Sequence, residues 1–280
     1  MTTVFLVTNF EYLSTMKTIF LILNCSLFSC VSYSQDTQTP ISDTETELYF
    51  SDALIYEYQN AEGKKGEFWI YVNPETGRML FTKQSWNTEN EITDEMTDFI
   101  VANPDGSYFQ FYQDAEDKKE AKKVIRHQLE IFKNKSQNKT PFLKNEDIEI
   151  KNLNHKDSFS TLEATGYTYN YLKMEGKEEF YISTVNFNTH LLYAFSKLNI
   201  EAKLPIYFDY SNLVTNNQLV VQSKSSSFGL DENSTQKNYQ TSFRLVSFEP
   251  TMYYVSYKDY SYYEQEGEKW IKKVIPITIK

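Results

Sequence analysis

From about residue 47 onward, short apolar runs alternate with turn residues, the pattern of strands joined by hairpins. LYF and ALIYEY lead into EFWIYV, which closes on Asn73, Pro74, Glu75, Thr76 and Gly77 before RMLFTKQSW begins. The same device returns where TDFIVA meets Asn103, Pro104, Asp105 and Gly106 and SYFQFY follows. In both turns proline presets φ and glycine accepts a positive φ. A second β section runs through GYTYNYLKM, EEFYISTV, HLLYAFSKL, LPIYFDYS, QLVVQSKS, TSFRLVSF, TMYYVSYKDY and WIKKVIPITIK, with Glu175, Gly176 and Lys177 as a hairpin turn.

Between the two sections the residues 114–133 predict one amphipathic helix. Asp114 can cap it, Glu116 and Asp117 stand at its positive end and Lys133 at its negative end. Val124, Ile125, Leu129 and Phe132 follow one another at spacings that put them on one stripe. The polar stretch 134–157 then reads as a long connection carrying one edge strand near Ile148.

Several strands are apolar on both faces. In EFWIYV, Phe68, Ile70 and Val72 point one way and Trp69 and Tyr71 the other. A sheet of that kind needs a cover on each side. One helix cannot supply both, so the expected fold is mainly β, α+β by element count. It is a curved antiparallel sheet or unclosed β-barrel with the single long amphipathic helix as lid. No Gly/Pro-rich linker separates the two sections, which predicts a single β-rich domain over 47–280.

The N-terminal region reads as an address. From Met16 the chain has one basic residue, Lys17, then an apolar stretch over 19–31 and the small-residue site Ser32, Tyr33, Ser34. This is the pattern of a secretory signal with cleavage after Ser34, leaving Gln35 as the new terminus. Residues 1–15 carry Glu11 and no Lys or Arg, so Met16 is the expected start. A lipoprotein anchored at Cys30 is the alternative, because Leu27, Phe28, Ser29 and Cys30 loosely follow a lipobox. Residues 35–46 read as a flexible leader. The expected product is exported, periplasmic or secreted, with no transmembrane segment in its mature part.

Composition narrows the chemistry. The 28 Lys and Arg against 38 Asp and Glu leave a formal charge of −10, which disfavours nucleic acid as a partner. Both cysteines, Cys25 and Cys30, fall in the signal, so disulfides and thiol chemistry are absent from the expected mature chain. The eight glycines form no GxG, which removes the dinucleotide fingerprint and the P-loop. His127, His155 and His190 lie far apart with no HxxxH or HxH spacing, so no metal and no cofactor is expected. Glu178 and Glu179 are adjacent, but neighbouring strand residues face opposite ways and cannot share one bond to be cleaved. No catalytic residue is assigned.

Aromatics are the feature above background, 16% of residues with 22 Tyr and 20 Phe. Tyr167, Tyr169 and Tyr171 alternate on one strand and so share an aromatic face, and a denser group runs from Tyr253 to Tyr263. Cross-strand pairing accounts for such rings, and a tyrosine-lined groove for lipid, glycan or peptide is the functional alternative.

FWIYVNPETGRMLF, MTDFIVANPDGSYFQFY, TGYTYNYLKMEGKEEFYIS and YAFSKLN resemble secreted Bacteroidetes proteins carrying the uncharacterised DUF4412 domain, similar to LolA-type lipoprotein carriers. The resemblance covers about 47–263. It implies an unclosed antiparallel barrel with a helical lid, an apolar interior and no enzymatic activity.

Together these readings predict a non-enzymatic exported binding protein. It would carry a lipid or other apolar ligand in a half-barrel, with Val124, Ile125, Leu129 and Phe132 lining the cavity or lid. The alternative is a structural or surface-interaction module that binds glycan or protein through a Tyr-rich β face.

Overall fold

The computed structural model describes residues 46–86, 96–124, 148–171, 176–196, 198, 202–211, 213–230, 236–266 and 269–277. The chain divides into the units Met1–Ile41 and Ser42–Lys280, and every described residue belongs to the second. Ser34, Gln35 and Cys30 lie outside the described residues, as do Ile125, Leu129 and Phe132.

In chain order the elements are β1 (Glu47–Gln59), β2 (Lys65–Asn73), β3 (Arg78–Thr82), β4 (Met96–Ala102), β5 (Tyr108–Gln113), β6 (Lys119–Val124), β7 (Ile148–Phe159), β8 (Leu162–Tyr171) and β9 (Gly176–Thr184). The helix α1 (His190–Phe195) follows, then β10 (Gln218–Leu230), β11 (Gln236–Ser256), β12 (Ser261–Glu266) and β13 (Lys269–Lys273). All thirteen strands form one unclosed curved sheet in the order β13-β12-β6-β5-β4-β3-β2-β1-β11-β10-β9-β8-β7. Two meanders, β1 to β6 and β7 to β11, are joined where β1 pairs antiparallel with β11. The edge strand expected near Ile148 is β7.

Turn chemistry sets the meander. The Asn73 side-chain oxygen accepts the N–H groups of Glu75 and Thr76 at 3.0 and 3.1 Å, and Gly77 takes a φ of +69°. In the second turn the Gly106 N–H donates to the Asn103 carbonyl at 2.9 Å. The two hairpin tips touch, since a Cβ on Gly77 would lie 3.3 Å from the Pro104 ring.

Alternation sends two sets of side chains to opposite faces. Leu54, Tyr56, Phe68 and Ile70 enter one core, and Ala53, Ile55, Tyr71 and Leu80 enter the other. The first core is covered by the β9–β10 connection, in which α1 lies. Phe195 of α1 stacks on Phe81 with centroids 3.9 Å apart, and Phe208 meets Tyr56 edge-on at 5.2 Å. The Thr189 hydroxyl lies 2.9 Å from the carbonyls of both Asn216 and Gln218, which ties the start of α1 to β10. The second core is covered by the C-terminal segment, which brings Tyr257, Tyr262, Ile275 and Ile277 against Leu48, Phe50 and Phe109.

Four features of the structure differ from what the sequence predicts. No helix forms over 114–124: the Asp114 side chain caps a tight turn by accepting the N–H of Glu116 and Lys118, and β6 begins at Lys119. Asp117 stands at a φ of +61°, which a helix interior does not accommodate. The run HLLYAF, expected as a strand, is α1, with all six residues buried; a short apolar run has no period that separates the two states. LPIYFDYS is likewise no strand but irregular chain over the first core. Finally, the sheet is not wholly antiparallel, because β12 pairs parallel with β6 at Ser261 and Tyr262. Residues 257–260 connect β11 to β12, which extends the sheet beyond β6.

Candidate functional site

The strip β11-β10-β9-β8-β7 curls strongly. Although three strands separate β7 from β11 in the sheet, the Phe248 N–H donates to the Ser160 hydroxyl at 3.0 Å. The Arg244 guanidinium on β11 lies 5.5 Å from the centre of the Phe159 ring at the end of β7. Arg244 therefore points into the concave side.

On that side, where strands β2, β1, β11, β10 and β9 run past the end of the second core, the outward positions turn polar. Cross-strand register sets them in rows. Glu67 faces Glu57, Glu57 faces Arg244, Arg244 faces Gln222 and Gln222 faces Tyr181. One step along, Lys65 faces Gln59, Gln59 faces Ser242, Ser242 faces Lys224 and Lys224 faces Glu179. Two adjoining cavities of about 610 and 350 Å³ lie over these rows and share Gln59, Lys224 and Ser242.

The charges here do not neutralise one another. Among the described residues, Lys65, Lys224 and Arg244 make no ion pair within 4 Å, although Glu57 and Glu179 stand directly across from Arg244 and Lys224. Glu179 instead accepts the Tyr181 hydroxyl at 3.4 Å, and Glu67 accepts the Trp69 indole N–H at 3.4 Å. Burial, and then the Glu179 charge, push the Tyr181 phenol above its ordinary value. Glu57 and Glu67 are like charges in direct cross-strand register, an arrangement that disfavours the sheet by itself.

The opposite face of the same strands carries a different constellation. Glu178, 8% exposed, accepts the hydroxyls of Tyr210 and Ser223, each at 2.6 Å. Burial raises its carboxyl above the ordinary value against the lowering effect of both hydrogen bonds. Glu178 and Glu179 thus face opposite ways, as alternation requires. Around Glu178 the first core is dense with rings, Tyr56, Phe68, Phe208 and Phe243 packing within 6 Å of one another in successive pairs.

Of the residues singled out from sequence, Val124 ends β6 and packs half-buried against the first core. Tyr167 and Tyr169 do share a face, and both pack into that core, Tyr167 stacking on Phe180 at 5.9 Å. Tyr171 ends β8. The C-terminal tyrosines divide: Tyr253 stacks on Tyr71 at 4.1 Å, Tyr257 and Tyr262 are buried, and the Tyr260 hydroxyl donates to Asp98 at 2.7 Å. Tyr254 and Tyr263 remain exposed.

The trough was not read from sequence. Its signal was available in β10 and β11, where Gln222, Lys224 and Ser226, with Gln240, Ser242 and Arg244, form uninterrupted polar alternations. Among the described residues no three His, Cys, Asp or Glu side chains gather to hold a metal, and no helix is long and apolar enough to cross a membrane.

No family model matches the chain, and no curated protein does. Among solved structures, one that resembles it is the complex of MucB with MucA(peri), 9% identical, covering 72% of this chain and 93% of that one, with a TM-score of 0.15. At that score the likeness identifies neither a fold nor a function.

Proposed function

We propose that this chain is an exported, non-enzymatic binding protein that takes a polar ligand in the trough over β2, β1, β11, β10 and β9. The observation that supports this is the set of lysine, arginine and glutamate side chains facing one concavity without pairing among themselves. Charges that do not satisfy one another are available to a ligand that presents complementary ones.

Lipid carriage, expected from the sequence, asks for room in the first core. Among the described residues that core is filled by the fully buried rings of Tyr56, Phe68 and Phe208 and by their buried neighbours. A lipid there would have to displace them.

The test is calorimetric titration of the purified chain with short peptides, glycan fragments and a fluorescent fatty acid. Saturable, salt-sensitive binding of a polar ligand, weakened at least tenfold in the double variant Arg244→Ala, Lys224→Ala, is the expected result. Saturable fatty-acid binding that this variant leaves unchanged would move the site to the apolar interior.

A further inference from the structure

We infer that the trough selects a short zwitterionic peptide, its carboxylate held by Arg244 and Lys224 and its ammonium by Glu57 and Glu67. This rests on the proposed function above and names the ligand class.

Glu67 and Glu57 occupy β2 and β1, and Arg244 and Lys224 occupy the next two strands, β11 and β10. The negative pair and the positive pair are therefore neighbours at the centre of the trough, with Lys65 flanking the first on β2 and Glu179 flanking the second on β9. Arg244 and Lys224 are diagonal neighbours, because Arg244 faces Gln222 two residues before Lys224. Such diagonals place side chains roughly 7–8 Å apart, within reach of one carboxylate for two long cations. Gln222 and Ser242 complete that corner with neutral hydrogen-bonding groups.

The pairs stay apart for a reason visible in the curl. Arg244 is drawn toward β7 by the face of Phe159 at 5.5 Å, away from β1, so Glu57 keeps no cation within 4 Å among the described residues. Glu57 and Glu67 then concentrate negative potential that a ligand ammonium would relieve.

Separation sets the length. From the middle of the β2/β1 pair to the middle of the β11/β10 pair is two interstrand spacings, about 10 Å. An extended chain advances about 3.3–3.6 Å per residue, so a tri- or tetrapeptide spans the two charges. A polyanion would meet Glu57 and Glu67, and a polycation would meet Arg244 and Lys224. A ligand carrying both signs at this spacing is complementary to the two central pairs.

The experiment titrates the full chain with trialanine and tetra-alanine, with their N-acetylated and C-amidated forms, and with neutral glycan fragments. Unmodified peptide should bind, and blocking either end should weaken binding at least tenfold. In Glu57→Gln, Glu67→Gln acetylation should cease to matter while amidation still does; in Arg244→Met, Lys224→Met the reverse should hold. Circular dichroism confirms that each variant is folded. Blocked peptides binding as well as free ones, or a neutral glycan binding in their place, would overturn the zwitterion and leave the polar trough standing. Loss of all polar binding in the wild-type chain would overturn both.

Discussion

Tyr210 donates its hydroxyl to Glu178 across 2.6 Å, pinning irregular chain over the first core to a carboxylate on β9. Ser223 on β10 donates to the same oxygen, so one acidic side chain organises the cover and two strands. Tyr210 in turn is pushed well above its ordinary value, first by burial and then by the Glu178 charge.

The pH dependence follows from the direction of the Glu178 shift. A carboxyl raised above its ordinary 4.5 in the folded chain holds its proton more tightly there than when unfolded. Its contribution to stability is greatest below the unfolded value and is lost as pH rises from 4.5 through the folded value. Thermal unfolding followed by circular dichroism between pH 4 and 8 should therefore show a smaller decline in Glu178→Gln than in the wild type. A steeper decline in the variant would contradict the assignment. Glu178→Ala should be costly at every pH, because two buried hydroxyls lose their acceptor at about 1–3 kcal/mol each.

Phe195 is the ring by which α1 seats itself. It is fully buried and stacks on Phe81 with an interplanar angle of 8°. Phe195→Ala should cost about 3–5 kcal/mol, read as a lower urea midpoint with unchanged slope.

Gly166 marks a close approach on the trough side. A Cβ there would lie 2.9 Å from Cε1 of Tyr181 and 3.2 Å from Cδ1 of Leu153. Gly166→Ala should destabilise by about 1–3 kcal/mol through overpacking and should displace the Tyr181 ring, detectable as a change in its NMR shifts.

The C-terminal segment is a cover. Ile275 and Ile277 are 8% and 3% exposed against the second core. Ending the chain after Glu266 should remove about 3–6 kcal/mol, at roughly 1.5–3 kcal/mol per buried isoleucine, and should raise binding of an apolar dye. A truncated chain with the wild-type urea midpoint would show that the second face needs no such cover.

Much of the sheet was legible from local pattern. Asn73 to Gly77 and Asn103 to Gly106 announce their hairpins because turn geometry depends on residues only a few positions apart. The alternation in EFWIYV likewise announces two buried faces, because side-chain direction along a strand has a period of two. Tertiary context decided the rest. Nothing local separates a helix from a turn at Asp114, since the same side-chain oxygen can accept N–H groups in either; the pairing of β6 with β5, which sets Ala121 opposite Phe111, selects the strand. HLLYAF became a helix because it had to fill a space between Phe81 and the strands of the second meander, and all six of its side chains, His190 included, are buried there. The trough belongs to the same category: Glu57 and Arg244 lie 187 positions apart in the chain, and only the pairing of the first strand with the eleventh sets them side by side.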